Sequence, residues 1–415
     1  MKNISILIFL VLGIWFSECS TQIDGRKVET GLERVPYFKE LFRNKDICII
    51  TNHTAYNSKG QFIAEVFQSM EDVHVVALCG PEHGIRGQIE RGDTIYSYND
   101  SLNNIPIISL YGKSRKPSAE ILKNINLLVF DIQDVGARFY TYIYNMALAM
   151  EAAAESNLPF VVLDRPNPIN GVDVEGNILD TTFSSFMGLY PIPVRHGMTA
   201  GELARLFNGE GWLKNGVQAD LTVIPMKNWK RSQWYDETGL QFIPPSPNMI
   251  DLTTATIYPG MCLLEGSNLS EGRGTMLPFQ IFGAPWFDAQ LLTKKLNALH
   301  LPGVSFKDTS FTPVSIPAMS KNPNFQDTLC FGAKIRVTDR DSFKPYYSGL
   351  QILNTLYQMN PDNFKWVTRS IRVLSGTDTV QEVISNQGNL DSLVVSWKTD
   401  LNTFMKIRQK YLLYE

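Results

Sequence analysis

The chain has 415 residues, a length that accommodates two or more domains with full hydrophobic cores. Hydrophobic residues make up 44% and charged residues 19% of the sequence, proportions that indicate a globular protein and argue against a disordered one. The formal net charge of -3 argues against nucleic acid or another polyanion as a partner. No run of lysine and arginine suggests a basic arm either.

The N-terminus, "MKNISILIFLVLGIWFSECS", has the layout of an export signal: an early lysine, an apolar core from Ile4 to Phe16, then small and polar residues. The apolar stretch is too short and too poorly flanked for a good membrane span. We therefore expect residues 1–19 to direct the protein to the periplasm, as a secretory signal peptide or as a lipoprotein signal with a lipid anchor at Cys19. Glu18 fits the lipoprotein alternative poorly, because a small residue normally precedes the lipid-bearing cysteine.

From about residue 45 to residue 164, β-branched apolar runs alternate with helical patterns, the longest of them at 141–157. Such strands separated by helices predict an α/β fold with a doubly wound, mostly parallel, Rossmann-like sheet covered on both faces. We expect residues 25–275 to form this catalytic domain and residues 276–415 to form a smaller C-terminal α/β domain. The predicted strands are 46–51, 73–79, 105–112, 125–134 and 159–168.

Polar residues follow four of these strands at the point where each strand ends. Ligands of open α/β sheets bind beyond the carboxyl ends of the strands, so these residues predict a single site. In strand order they are Asn52 and His53; Glu82, His83 and Arg86; Asp131, Gln133, Asp134 and Arg138; and Asp164, Arg165 and Asn167.

The segment "GPEHGIRG" offers two interpretations. Glu82 is either a catalytic carboxyl group tuned by His83 and Arg86, or one half of a surface ion pair with Arg86. A neighbouring cation lowers the pKa of a carboxyl group and burial raises it, so the sequence leaves the protonation state open. Asp134 is likewise either a helix-orienting residue or a functional one.

Two later loops are also rich in polar groups. In "RHGMT", Arg195 and His196 suit the binding of an anionic substrate group. The loop "EGSNLSEGRGT" carries too many donors and acceptors among its glycines for a passive linker.

Several chemistries find no support. The chain has no GxGxxG or Walker sequence for a nucleotide cofactor, no HExxH zinc motif, and no GxSxG elbow. No CxxC pair occurs, and Cys48 and Cys79 lie in apolar strand patterns typical of buried thiols. A minor alternative is a metal held by His53, His83, Asp131 and His196.

Eight motifs in order resemble the exo-β-N-acetylmuramidase family of the NamZ type: "TNHTA", "PEHGIRG", "SLYG", "FDIQDVGARFYTY", "LDRPNPING", "RHGMTAGELA", "PPSPNM" and "EGSNLSEGRGT". The resemblance covers the chain from Gly31 onward. It implies an exo-acting glycosidase of peptidoglycan recycling that releases N-acetylmuramic acid from the non-reducing end of peptide-free fragments such as MurNAc–GlcNAc. It also implies that the glutamate of "PEHG", Glu82, is the leading catalytic candidate.

Glycoside hydrolysis usually needs two carboxyl groups, about 5 Å apart for retention and about 6.5–9.5 Å apart for inversion. Glu82 is the expected acid/base; Asp134, Asp131, Glu265 and Glu271 compete for the second role, with Asp134 and Glu271 preferred. A substrate-assisted route through the 2-acetamido group stays open.

The lactyl carboxylate of muramic acid calls for a cation, and Arg86, Arg138, Arg195 and Arg273 are candidates because arginine binds carboxylates through two parallel hydrogen bonds. The alternatives to the glycosidase are a non-catalytic periplasmic glycan-binding protein and a metal-dependent hydrolase. We expect no cofactor and no metal, and substrate contacts from Asn52, His53, His83, Arg86, Asp131, Arg138, Tyr142, Asn167, Arg195, His196, Glu265, Asn268 and Arg273.

Overall fold

The computed structural model describes residues 27–89, 98–100, 104–112 and 115–415. The predicted export signal at residues 1–19 and the candidate lipid site at Cys19 lie outside the described residues. Within the described part of the chain, no helix is both long enough and apolar enough to cross a membrane.

A seven-stranded sheet forms the centre of the molecule, in the order β3-β4-β2-β1-β5-β6-β9. Every neighbouring pair is parallel except β3 with β4, which confirms the predicted mostly parallel Rossmann-like sheet. Its strands are β1 (Lys45–Thr51), β2 (Val73–Gly80), β3 (Tyr98–Asp100), β4 (Ile105–Ser109), β5 (Leu127–Asp131), β6 (Pro159–Leu163) and β9 (Asp220–Ile224). A separate two-stranded sheet pairs β7 (Glu175–Ile178) with β8 (Pro193–Arg195).

Helices cover both faces of the sheet and continue to the C-terminus. The α-helices are α1 (Gly31–Arg34), α2 (Ile63–Gln68), α3 (Ala119–Leu122), α4 (Tyr142–Glu155), α5 (Ala200–Gly209), α6 (Leu252–Met261), α7 (Ala289–Ala298), α8 (Pro345–Met359), α9 (Thr368–Ser375), α10 (Thr379–Ser385), α11 (Leu390–Ser396) and α12 (Lys398–Gln409). Short 3₁₀ helices lie at Val35–Leu41, Thr181–Phe183, Lys214–Gly216, Tyr235–Glu237 and Cys262–Gly266.

Alternate residues of a strand point to opposite faces of the sheet, and β1 shows the result. Ile47 and Ile49 are buried in one cluster together with Phe67 of α2. Cys48 and Ile50 are buried in the other cluster, which contains the apolar side chains of α4 and α5. Both faces of the central strand are therefore buried, as the continuous apolar runs of the sequence predict.

A smaller antiparallel sheet follows, with β12 (Cys330–Val337) between β10 (Ile281–Ala284) and β11 (Val304–Phe311). Helices α6 and α8 cross closely at Gly260 and Gly349, where a Cβ on Gly349 would lie 2.5 Å from the Cα of Gly260. One continuous cluster of buried residues runs from the large sheet into this region. Because the core is shared, the division at residues 275 and 276 stays a prediction.

The C-terminal segment returns to the large sheet. Arg408 of α12 donates hydrogen bonds to the carbonyls of Gly171 and Gly197. The Tyr414 hydroxyl donates to the Asp164 carboxylate at 2.6 Å, directly after β6. The last residues of the chain thus stabilise the edge of the sheet at which the strands end.

Candidate active site

A cavity of about 200 Å³ opens beyond the carboxyl ends of the strands. The turn after β2 contributes Glu82 and His83 to its wall, and the residues that lead into α4 contribute an aromatic run. Loops far along the chain close the rest of the wall. The placement agrees with the general position of ligand sites in open α/β sheets.

The turn that carries Glu82 depends on unusual backbone conformations. His83 has φ of 71° and Gly84 also 71°, so two successive residues adopt the left-handed region. The His83 Nδ1 lies 2.6 Å from the Ile89 carbonyl, which holds the turn closed. At Gly87 a Cβ would lie 2.2 Å from the His53 ring, so the glycine permits this turn to pack against His53, the second residue after β1.

His53 is anchored by its ring. Its Nε2 donates a 2.7 Å hydrogen bond to the Pro244 carbonyl, which leaves Nδ1 without a proton in the neutral imidazole. Burial lowers the pKa of His53, and the neighbouring His83 lowers it further. We therefore expect a neutral His53 that supports the loop at Pro244 and not a cation that binds substrate.

Tyr142 begins α4 and forms part of the cavity wall. Its hydroxyl donates to the Pro245 carbonyl at 2.8 Å and lies 3.5 Å from the backbone oxygen of Glu82. Burial raises the pKa of Tyr142, and the charge of Glu82 raises it further. The protonated phenol thus links the helix, the Glu82 turn and the Pro245 loop. Asn52, which is fully buried, accepts hydrogen bonds from Thr54 and stabilises the end of β1.

Asp134 lies behind the tyrosines of the wall. Its Oδ2 accepts a 2.7 Å hydrogen bond from the Gly136 amide and lies 3.6 Å from Nε2 of His196. Its Oδ1 is buried without a hydrogen-bond partner in the described residues. The charge of Asp134 contributes to raising the pKa of Tyr140 and Tyr142, both of which line the cavity. The residue is 6% exposed and does not line the cavity, so Asp134 lies beneath the wall.

The other acidic cluster is organised by Arg273, which lines the cavity and lies over the Phe279 ring, 5.0 Å from its centroid. Its Nη2 lies 2.8 Å from Oε1 of Glu265, and its Nε lies 3.1 Å from Oε1 of Glu271. Glu271 is 5% exposed. The structure therefore joins three predicted site residues into one partly buried ion-pair group, of which Arg273 lines the cavity.

Two predicted carboxylate-binding arginines lie inside the protein. The Arg138 guanidinium is fully buried and donates to four backbone carbonyls, those of Asn177, Ile192, Leu374 and Ser375. Arg195 donates to the Ile169 carbonyl and lies 3.2 Å from Asp173. Burial lowers the pKa of both guanidinium groups. Neither lines the cavity.

Three further predicted contacts also have partners within the fold. Asp131 forms a two-point ion pair with Arg165, and both side chains are buried. Asn167 donates to the Met198 carbonyl, and Asn268 joins its loop to Asn363. Arg86 lies in the same turn as Glu82, partly exposed, outside the cavity wall.

The cavity wall contains residues that the sequence did not single out. Arg115 and Phe186 come from two separate loops and stack, with the guanidinium carbon 3.9 Å from the ring centroid. Ser246 and Asn248 come from "PPSPNM" and Tyr111 from "SLYG", motifs whose individual residues carried no assigned role. No comparable pattern marked Arg115.

The metal alternative required His53, His83, Asp131 and His196 to converge. In the part of the chain that the structure describes, no group of three histidine, cysteine, aspartate or glutamate side chains is placed to hold a metal ion. His53 and Asp131 instead contact Pro244 and Arg165.

Comparison with known proteins identifies the family. Residues 47–253 match the family model described as the N-terminal part of exo-β-N-acetylmuramidase NamZ, and residues 256–414 match the C-terminal part. The chain belongs to the exo-β-N-acetylmuramidase NamZ family. It is 46% identical, over 390 residues, to the peptidoglycan β-N-acetylmuramidase NamZ of Bacillus subtilis (strain 168). The alignment covers 94% of this chain and 92% of the relative.

Solved structures agree with the NamZ assignment at the level of the fold. Two DUF1343 family proteins from Bacteroides fragilis NCTC 9343 match with TM-scores of 0.85 and 0.75, at 35% and 34% sequence identity. Each alignment covers 94% of this chain and 99% of the solved chain. The resemblance inferred from the motifs and the α/β Rossmann-like fold are confirmed.

Proposed function

We propose that the protein is an exo-acting glycosidase that releases N-acetylmuramic acid from the non-reducing end of peptidoglycan fragments such as MurNAc–GlcNAc. Membership of the NamZ family and the β-N-acetylmuramidase relative from Bacillus subtilis support this activity over a glycan-binding protein or a metal-dependent hydrolase. The structural observation that carries it is the position of Glu82, on a turn that faces a small cavity at the end of the sheet.

The cavity suits one terminal sugar. Pockets for drug-sized ligands usually have volumes of about 300–1,000 Å³. At about 200 Å³, this cavity is small for an extended glycan chain, as an exo-acting enzyme requires. Its wall combines aromatic rings, which pack against a sugar ring, with hydroxyl and amide groups such as Ser246 and Asn248.

Glu82 is the general acid in this proposal. Among the described residues it is the carboxyl group in the cavity wall, and it comes from a turn whose position is fixed through His53, His83 and Tyr142. A carboxyl group so placed protonates the glycosidic oxygen as the bond to the leaving sugar breaks.

Asp134 is the preferred second carboxylate. Its Oδ1 is buried without a partner in the described residues, whereas Glu271 pairs with Arg273. Because Asp134 lies beneath the cavity wall, its charge acts through Tyr140 and Tyr142 in this proposal. The 2-acetamido group of the substrate then attacks the anomeric carbon. Glu271 then holds Arg273 against the cavity.

The proposed location follows from the substrate. Peptidoglycan lies outside the cytoplasmic membrane, and residues 1–19 have the layout of an export signal. We infer a periplasmic protein, either soluble or attached to a membrane through a lipid on Cys19. Mass spectrometry of the mature N-terminus in the native host distinguishes the two.

The test is release of free N-acetylmuramic acid from MurNAc–GlcNAc by the wild type and by Glu82→Gln. Glu40→Gln is the control, because Glu40 is a surface residue with a side chain 71% exposed. We expect turnover by the wild type and Glu40→Gln, and a fall of about 10³-fold or more for Glu82→Gln.

Three other outcomes identify the alternatives. If Glu82→Gln still releases the sugar, the general acid is another residue. Sugar binding without release by well-folded wild type would favour a glycan-binding protein. Loss of turnover on treatment with a chelator, with recovery on adding a divalent metal, would favour the metal-dependent hydrolase.

A further inference from the structure

Among the described residues, two guanidinium groups line the cavity, those of Arg115 and Arg273. They differ in their surroundings. Arg273 lies within 3.1 Å of carboxylate oxygens of both Glu265 and Glu271, so its charge is compensated inside the protein. Within the described residues, no carboxylate forms an ion pair with Arg115, which is exposed at the cavity rim.

Arg115 is nevertheless held in place. Its guanidinium carbon lies 3.9 Å from the centroid of the Phe186 ring, a stacking distance. This contact holds the guanidinium over the ring, and the N–H groups along its edge have no hydrogen-bond partner within the described residues. That edge presents paired donors whose spacing matches the two oxygens of a carboxylate.

The substrate of the proposed reaction carries one such carboxylate. N-acetylmuramic acid differs from N-acetylglucosamine by a lactyl ether on O3, which ends in a carboxylate. An enzyme selective for muramic acid must recognise this group in the cavity that holds the terminal sugar. Arg138 and Arg195 are buried away from the cavity, and Arg273 already pairs with two carboxylates.

We propose that Arg115, stacked on Phe186, binds the lactyl carboxylate of the terminal N-acetylmuramic acid and is the residue that selects this sugar. The assignment rests on the proposed function and names the recognition element of the same cavity. It also gives a physical reason for the preference for peptide-free fragments that the family resemblance implies. A stem peptide converts the lactyl carboxylate into a neutral amide, so Arg115 favours muramic acid ends from which the peptide has been removed.

The experiment measures kcat/KM for two substrates, MurNAc–GlcNAc and the same disaccharide with its lactyl group as a methyl ester. The enzymes are the wild type, Arg115→Gln, Arg115→Lys and Arg43→Gln. Arg43 is a matched control because it is a surface arginine, 62% exposed, outside this cavity. Titration calorimetry with free N-acetylmuramic acid and with N-acetylglucosamine gives a second readout that needs no turnover.

We expect Arg115→Gln to lower kcat/KM for the free carboxylate by roughly 10- to 100-fold and for the methyl ester by less than about 3-fold. Arg115→Lys should lie between these values, since it keeps the charge and loses the paired geometry. Arg43→Gln should match the wild type on both substrates. In calorimetry, the preference of the wild type for N-acetylmuramic acid should disappear in Arg115→Gln.

If Arg115→Gln lowers kcat/KM equally for the free carboxylate and the methyl ester, the assignment is wrong and Arg115 has a structural role. An unchanged preference for the free carboxylate in Arg115→Gln would also overturn the assignment. A wild type that releases no sugar yet binds N-acetylmuramic acid through Arg115 would reject the proposed glycosidase and keep the recognition element. A wild type that neither releases nor binds it would reject both.

Discussion

The hydroxyl of Tyr142 lies 3.5 Å from the backbone oxygen of Glu82. The same hydroxyl donates a 2.8 Å hydrogen bond to the Pro245 carbonyl. One phenol thus contacts the turn after β2 and the loop before α6, two segments that both line the cavity. The position of the proposed acid therefore depends on a side chain that contacts its backbone and leaves its carboxyl group available.

Replacing Tyr142 with phenylalanine should loosen the Glu82 turn. We expect kcat to fall about 10-fold through misplacement of the acid, with a loss of stability of only about 1 kcal/mol from the missing hydrogen bond. Tyr144→Phe is the control, because Tyr144 is also buried in α4 and packs against Tyr190. Steady-state kinetics and urea unfolding give the two readouts. Equal losses of kcat in the two variants would argue against the positioning role of Tyr142.

Asp134 and Glu271 should respond differently to neutralisation. Asp134→Asn should lower kcat by about 10²-fold or more, since it removes the proposed second carboxylate. Glu271→Gln should act mainly on KM, because it weakens the hold on Arg273 in the cavity wall. Steady-state kinetics on MurNAc–GlcNAc separate the two effects. The reverse pattern, with kcat lost in Glu271→Gln, would transfer the second role to Glu271.

Arg138 should matter for stability. Arg138→Met removes a buried guanidinium that donates to four backbone carbonyls and leaves those carbonyls without their donors. We expect the free energy of unfolding to fall by about 3 kcal/mol or more. Denaturant unfolding measures this, and Arg43→Met should lie within about 0.5 kcal/mol of the wild type. A well-folded Arg138→Met with normal stability and a raised KM would restore Arg138 as a substrate contact.

Asp164 should impose a pH dependence on stability. Burial raises the pKa of Asp164 from its ordinary 3.8 to about 6, although hydrogen bonds from Tyr414 and Thr199 oppose the shift. Between about pH 4 and pH 6 the folded protein therefore holds a proton that the unfolded chain has released, and the contribution of Asp164 to stability falls as the pH rises.

Denaturant unfolding across this pH range tests the effect of Asp164. Between about pH 4 and pH 6, Asp164→Asn should make the free energy of unfolding depend less on pH, whatever its effect on absolute stability. Asp180→Asn should retain the pH dependence of the wild type, because Asp180 is exposed and its pKa is lowered instead. If the pH dependence of the free energy of unfolding is the same in Asp164→Asn as in the wild type, Asp164 is not its cause.

The four cysteines of the described residues form no disulfide with one another and are buried, at positions 48, 79, 262 and 330. A hydrogen bond to Cys79 and burial raise the pKa of Cys48, and burial raises the pKa of Cys330 to about 11. Both thiols should therefore stay protonated and unreactive at neutral pH. Alkylation by iodoacetamide, followed by mass spectrometry, should be slow at these four positions until denaturant is added. Rapid labelling of Cys48 in the folded protein would show that β1 opens locally.

Much of the architecture could be predicted from the sequence because it depends on local patterns. The apolar runs at 46–51 and 73–79 became β1 and β2. Thr199 followed three residues later by Glu202 is a spacing typical of a helix cap, and the two residues cap α5. The predicted runs at 125–134 and 159–168 were longer than β5 and β6, which end at Asp131 and Leu163. The polar residues that follow these strands leave the ladder and bond within the fold, outside the cavity wall.

The roles of individual arginines could not be predicted in this way. Arg138 follows a strand end, like a ligand-binding residue, but its partners include the carbonyls of Leu374 and Ser375, more than 230 positions away. Arg115 stands in an unremarkable loop, and only the fold brings it to Phe186 at the cavity. Contacts between residues far apart in the sequence determine the roles of Arg138 and Arg115, and a single sequence contains no local signal for such contacts.

The return of the C-terminus to β6 has a practical consequence for protein engineering. The backbone carbonyl of Glu415 accepts a hydrogen bond from the Arg231 amide, and Tyr414 contacts Asp164 and packs against Trp229. Fusion of an affinity tag directly after Glu415 would crowd these contacts, so a spacer of several flexible residues is advisable.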